Sequence, residues 1–170
     1  MKKGIIVVDA DKCVACRTCE LQCAIAHSKS KKLETAICEI PLSQARVKVE
    51  SVGKISVPLQ CRHCEDAPCV KICPTKAMVK DAKEGIVQVK HELCTKCKWC
   101  ILACPFGVIH LDQGSQAITK CDLCFERLKK DQLPACVVGC KTNALKFKSA
   151  KEISKGKKKK YLVQFKKEKN

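Results

Sequence analysis

The sequence predicts an α+β fold of small sheets and short helices packed around bound metal, on three observations. Cysteine makes up 17 of 170 residues, all but one of these cysteines fall into groups of four, and the intervening stretches are short and mixed in strand and helix character. Apolar residues reach 46% only when cysteine is counted, and aromatics are 4%, so an ordinary side-chain core would be thin. Disulfides, zinc or iron–sulfur clusters are the candidates for filling it.

Taken in order, residues 5–8 (Ile-Ile-Val-Val) are β-branched and predict a strand, and a helix is expected over 14–28, where Leu21, Ile25 and the cysteines recur at helical spacing. Residues 46–52, 55–59, 86–89, 108–111 and 144–147 have strand character. Helical turns are expected around each C-x3-C. Residues 151–170 change composition, with Lys157, Lys158, Lys159 and Lys160 before Tyr161-Leu162-Val163-Gln164-Phe165, and predict a mobile basic tail carrying one short docking strand. The lysine run itself is expected to be solvated, with electrostatic steering towards an acidic surface as its functional version.

The cysteine groups are Cys13, Cys16, Cys19, Cys23; Cys61, Cys64, Cys69, Cys73; Cys94, Cys97, Cys100, Cys104; and Cys121, Cys124, Cys136, Cys140. The first and third share C-x2-C-x2-C-x3-C; the second and fourth share C-x2-C, a longer gap, then C-x3-C. This is an internal repeat, supported by Cys73-Pro74-Thr75-Lys76-Ala77-Met78 against Cys140-Lys141-Thr142-Asn143-Ala144-Leu145. Two related modules follow.

The compartment argues against disulfides. The start has only four apolar residues before Asp9, no twin-arginine pair and no apolar run of membrane-spanning length, so a soluble cytoplasmic protein with reduced thiols is expected. An odd count of 17 also pairs poorly. Among metals, three thiolates at x2 spacing suit a corner of an iron–sulfur cubane, each sulfur reaching a different iron, whereas such triplets suit a single tetrahedral zinc poorly. The fourth group, Cys121-x2-Cys124-x11-Cys136-x3-Cys140, could alone pass as a zinc site.

Groups two and three resemble the halves of bacterial two-cluster ferredoxins, both ending in Cys-Pro at Cys73-Pro74 and Cys104-Pro105. In those proteins the fourth cysteine ligates the other cluster. That resemblance implies site B on Cys61, Cys64, Cys69 and Cys104, and site C on Cys94, Cys97, Cys100 and Cys73. By the same analogy the outer groups form site A on Cys13, Cys16, Cys19 and Cys140, and site D on Cys121, Cys124, Cys136 and Cys23. Here Ala24 and Lys141 replace the proline. Iron at all four sites is thus held by sixteen cysteines. Cys38 is expected to be a buried structural thiol rather than a ligand. Trp99 is expected to pack against a cluster. His27, His63, His91 and His110 show no mutual spacing of a site, although His63, between Cys61 and Cys64, could tune a cluster by hydrogen bonding.

With this order of groups, residues 5–148 resemble the iron–sulfur electron-transfer subunits that accompany molybdenum, nickel and hydrogenase enzymes. The resemblance implies a pseudo-twofold double bacterial-ferredoxin-like fold with four [4Fe–4S] clusters. It divides the chain into an inner module at 54–115, inserted between the two halves of an outer module at 1–53 and 116–150, with a basic tail at 151–170. Asp11-Lys12-Cys13-Val14-Ala15-Cys16-Arg17-Thr18-Cys19-Glu20 and Cys23-Ala24-Ile25-Ala26-His27-Ser28-Lys29-Ser30-Lys31 look most like the ferredoxin-like subunit of anaerobic carbon monoxide dehydrogenase. Some relatives carry tryptophan at a third-group cysteine and a three-iron cluster; Cys100 stands here beside Trp99, implying complete cubanes.

The function this implies is electron transfer from carbon monoxide dehydrogenase to a hydrogenase or flavin-containing reductase, with the inner clusters in the middle of the wire and the outer pair at its ends. The alternatives are the equivalent subunit of a formate dehydrogenase or hydrogenase, and, more remotely, a zinc protein associated with nucleic acid. No catalytic constellation is visible, and Gly85, Gly107 and Gly114 are too isolated to form a nucleotide loop. The formal charge of +17 would ordinarily suggest nucleic acid. Sixteen thiolates and four oxidised cubane cores would reduce it to about +9, so much of the basicity offsets bound cluster charge. No nucleic-acid partner and no membrane span are expected.

Overall fold

Strands of three to five residues bury too little to stand alone, and the chain uses them only as antiparallel pairs flanking the cysteine loops. The structure is a computed structural model that describes residues 3–112 and 117–167. The elements are β1 (Ile5–Val8), α1 (Thr18–His27), α2 (Leu33–Ala36), β2 (Lys48–Val52), β3 (Ile55–Leu59), α3 (Pro68–Lys71), β4 (Met78–Lys80) and β5 (Val87–Val89). They continue with α4 (Trp99–Leu102), β6 (Ile109–Leu111), β7 (Ile118–Lys120), α5 (Phe125–Lys129), α6 (Ala135–Gly139), β8 (Leu145–Lys148) and α7 (Ala150–Lys167). This is the expected small α+β architecture.

The internal repeat is visible in the pairing. β1 pairs with β8, from Ile5 opposite Lys148 to Val8 opposite Leu145, and β4 pairs with β5, from Met78 opposite Val89 to Lys80 opposite Val87. Each ladder is extended by one matching bond, Asp9 N–H to Ala144 O and Lys90 N–H to Ala77 O, both 2.8 Å. Beyond each lies a single 3-10 turn, Ala10–Lys12 or His91–Leu93, leading into a cysteine triplet. The remaining pairs, β2 with β3 and β6 with β7, are hairpins that run between the expected outer and inner modules. The first turns at Gly53, whose φ of 57° suits glycine, where the expected module boundary falls; the expected boundary between residues 115 and 116, like Gly114, lies outside the described residues.

Two cores form, one per repeat. Ile6, Val47, Val49, Ile86, Leu123, Leu128 and Leu145 pack with Cys19, Cys23 and Cys136; Ala67, Met78, Val87, Ile109 and Ile118 pack with Cys69 and Cys100. Cysteine is thus part of each core, as the thin apolar composition requires.

Two expectations are corrected here. α1 begins at Thr18 rather than at residue 14, because Ala15 and Arg17 adopt φ of 55° to carry the chain around the first triplet. Residues 150–167 form one helix instead of a tail with a strand at 161–165. Its start is fixed by a reciprocal cap: Ser149 N–H donates to Glu152 at 2.8 Å and Glu152 N–H donates to Ser149 Oγ at 3.3 Å.

Candidate metal centres

Each cysteine loop is wound by residues in the left-handed region, and the repeats use the same positions. Ala15 and Arg17 in the first triplet correspond to Lys96 and Lys98 in the third, His63 in the second group to Leu123 in the fourth, and Lys76 to Asn143 just after each C-x3-C. Alternating handedness curls the backbone so that N–H groups face a common centre, a nest suited to negative charge.

The thiols gather accordingly. An open hollow of about 320 Å³ is lined by Cys61, Cys64, Cys69 and Cys104 together with Val87 and Phe106. A second, of the same volume, is lined by Cys73, Cys94, Cys97 and Cys100 with Met78 and Val89. These are the sets expected for sites B and C. In the outer core, Cys16 and Cys140 both raise the Cys19 thiol electrostatically, while Cys13 and Cys140 pack against the same cluster of side chains. Cys121, Cys23 and Cys124 likewise act on Cys136. The thiols assigned from the sequence to sites A and D are thus neighbours in one core, where Cys19 also acts on Cys136.

Backbone N–H groups donate to sulfur at equivalent places: His63 to Cys61 and Leu123 to Cys121, each 3.4 Å, and Met78 to Cys73 and Leu145 to Cys140, each 3.5 Å. Arg46 N–H adds 3.2 Å to Cys23. Burial pushes Cys19, Cys100 and Cys124 up to about 11, and Cys136 well above the usual thiol range. Uptake of iron must therefore displace thiol protons.

The residues fit an iron–sulfur cubane on two grounds. Four thiols meet at each hollow with N–H donors already turned on sulfur, which is the environment that stabilises a thiolate-bound cluster. In addition, His63 accepts the Val87 N–H at Nδ1 (3.0 Å), which leaves Nε2 bearing its proton, buried and without a protein acceptor among the described residues. A cluster sulfur beside Cys61 and Cys64 would supply that acceptor. Burial, with Lys120 adding repulsion, pushes His63 down to about 3, so it is neutral.

Two expectations need correction. Cys38 is exposed, not buried, and its Sγ donates to Glu34 O of the preceding helix α2 at 3.8 Å. Trp99 is 54% exposed and lines an open hollow with Ile72, Leu102 and Ala103 instead of packing against a site. All four thiols expected at site D are buried, whereas Cys16 of the expected site A and Cys97 of the expected site C are exposed. The β6–β7 hairpin leads from the third cysteine group straight into the fourth.

Two roles were not read from the sequence. Lys120, at the end of β7, is only 3% exposed. His27 lies half-buried beside the thiols expected at site D, in an ion-paired chain. Its Nδ1 lies 2.7 Å from Cys23 O, its Nε2 3.0 Å from Asp122 Oδ1, and Arg46 reaches Asp122 Oδ2 at 2.7 Å. The only hint was an acidic residue inside Cys121-Asp122-Leu123-Cys124.

Residues 52–150 match the family described as 4Fe-4S dicluster domain. The chain is 41% identical over 156 residues to an iron–sulfur protein of Rhodospirillum rubrum, covering 84% of this chain and 80% of that one. It is 36% identical to the electron transport protein HydN of Escherichia coli strain K12, covering 82% and 85%, and 34% identical to the thiosulfate reductase electron transfer subunit PhsB of Salmonella typhi, covering 84% and 74%. Thiol sets, sulfur-directed N–H groups and these likenesses agree, and the chain belongs to the 4Fe–4S dicluster family of iron–sulfur electron-transfer proteins.

Proposed function

We propose that the protein is an electron wire without a catalytic site of its own, taking electrons singly from a carbon monoxide dehydrogenase and delivering them to a hydrogenase or flavin-containing reductase. The observation that carries this reading is the row of thiol sets. Cys19 of site A neighbours Cys136 of site D, Lys120 spans from Cys121 of site D to Val87 at the site B hollow, and Cys69 of site B neighbours Cys100 of site C. The order is therefore A–D–B–C, with the sixteen cysteines ligating iron in the cross-linked sets given above and Cys38 outside them.

Bound [4Fe–4S] clusters supply outer-sphere, one-electron redox chemistry. The chain's residues hold the thiolates, direct N–H groups at sulfur, and keep water from site D while leaving Cys16 and Cys97 exposed at the two ends. Partners are expected at those ends. The modules are assigned as 54–115 within 1–53 and 116–150. Among the described residues no helix is long and apolar enough to cross a membrane, and we assign the protein to the cytoplasm. The donor rests on the resemblance of residues 11–20 and 23–31 to the carbon monoxide dehydrogenase subunit.

The test is anaerobic visible absorbance of the reconstituted protein with catalytic carbon monoxide dehydrogenase, before and after carbon monoxide, with dithionite as control. Bleaching that requires both enzyme and gas is expected. A second reading, the equivalent subunit of a formate dehydrogenase, hydrogenase or related oxidoreductase, is favoured by relatives named as subunits of thiosulfate and dimethyl sulfoxide reductases. Bleaching by dithionite alone would select it, and a colourless protein would overturn both.

A further inference from the structure

Lysine is rarely buried unless its charge is matched, because removing an ammonium from water costs several kcal/mol, on the order of the whole stability of a small domain. Lys120 is 3% exposed, and none of the ion pairs formed by described residues includes it. Its Nζ donates instead to two backbone carbonyls, Val87 O and Cys121 O, the latter at 2.7 Å. The nearest carboxylate in sequence, Asp122, is occupied by His27, Arg46 and the Cys124 N–H.

The two carbonyls belong to opposite sides of the junction between modules. Cys121 is in the site D set. Val87 lines the site B hollow, and its N–H donates to His63 Nδ1 between Cys61 and Cys64. Val87 thus donates its N–H to the His63 ring and accepts the Lys120 ammonium at its carbonyl, while the same ammonium donates to Cys121 O. What is missing at this position is negative charge, and four thiolates around an iron–sulfur core bring it on both sides, one unit more at each site when reduced.

We propose that Lys120 is the positioning residue of the inter-module step: its buried ammonium, set between sites B and D, favours the reduced state of both clusters and couples the two modules electrostatically. The proposal rests on the four-cluster reading. Loss of the cation leaves sites A and C, which lie beyond its immediate neighbourhood, almost unaffected.

The experiment is a potentiometric titration followed by electron paramagnetic resonance on anaerobic full-length wild type, Lys120→Gln and Lys120→Arg, with iron and labile sulfide measured on each. Lys120→Gln keeps hydrogen-bond donors and removes the charge; Lys120→Arg keeps the charge. At fixed potential, the reduced-to-oxidised ratio of two of the four clusters is expected to fall about tenfold in Lys120→Gln, the size of a unit charge acting at close range in a protein interior, and to stay near wild type in Lys120→Arg. Unchanged potentials in a fully loaded Lys120→Gln would overturn the proposal, as would an equal shift of all four. Loss of clusters from Lys120→Gln but not Lys120→Arg would make the charge an assembly requirement and also overturn it as stated. A wild type holding fewer than four clusters would instead defeat the four-cluster reading, and the iron content separates that case from the others.

Discussion

Asp122 joins His27, Arg46 and the Cys124 N–H beside the thiols assigned to site D. Burial opposes its charge, yet the His27 hydrogen bond and the Arg46 guanidinium hold its carboxyl well below the usual carboxylate range. Burial likewise opposes charge on His27, but the hydrogen bonds to Asp122 and Cys23 and the Asp122 charge together outweigh it and raise the imidazole to about 9, with both ring nitrogens facing acceptors. Asp122→Asn would strip Arg46 and His27 of their shared counter-charge beside Cys23. We expect a loss of about 3 kcal/mol, read as a lower denaturant midpoint of the cluster-loaded protein, with Asp122→Glu retaining more stability than Asn. The sixteen cysteines were legible because their chemistry depends on spacing along the chain. His27, Asp122 and Arg46 were not: their contact joins positions 95 residues apart, and no local pattern announces it.

At the scale of elements, the closest helix contact is α1 on α6, and Gly139 permits it. A Cβ there would stand 2.6 Å from Gln22 Cγ and 3.1 Å from Gln22 Cβ. Gly139→Val should therefore cost about 2 kcal/mol by forcing the helices apart, with Cys19, Cys23 and Cys136 displaced alongside; thermal unfolding checks it. Six strands were legible as short β-branched or apolar runs, whereas β4 (Met78–Lys80) and β7 (Ile118–Lys120) each carry a lysine in three residues and exist through their partners. α7 was misjudged because Tyr161 to Phe165 have strand composition. The Ser149-Ala150-Lys151-Glu152 cap and the long lysine side chains favour a helix, and no strand of the described residues pairs with this segment.

At the scale of the molecule, the two repeats differ in one respect that matters for conduction. The outer one buries all of site D, and both leave one thiol exposed at the far side, Cys16 or Cys97. The proposed A–D–B–C row sets those two exposed thiols at its ends. The fold class was legible from composition, since a chain with this much cysteine and so few aromatics needs metal to complete its cores. The proposed order of sites was not, because it rests on how the β2–β3 and β6–β7 hairpins join the two repeats. The most direct test of the whole account is the iron and acid-labile sulfide content of the anaerobically isolated protein. Four cubanes predict about sixteen of each per chain. About eight of each, or zinc without sulfide, would contradict it.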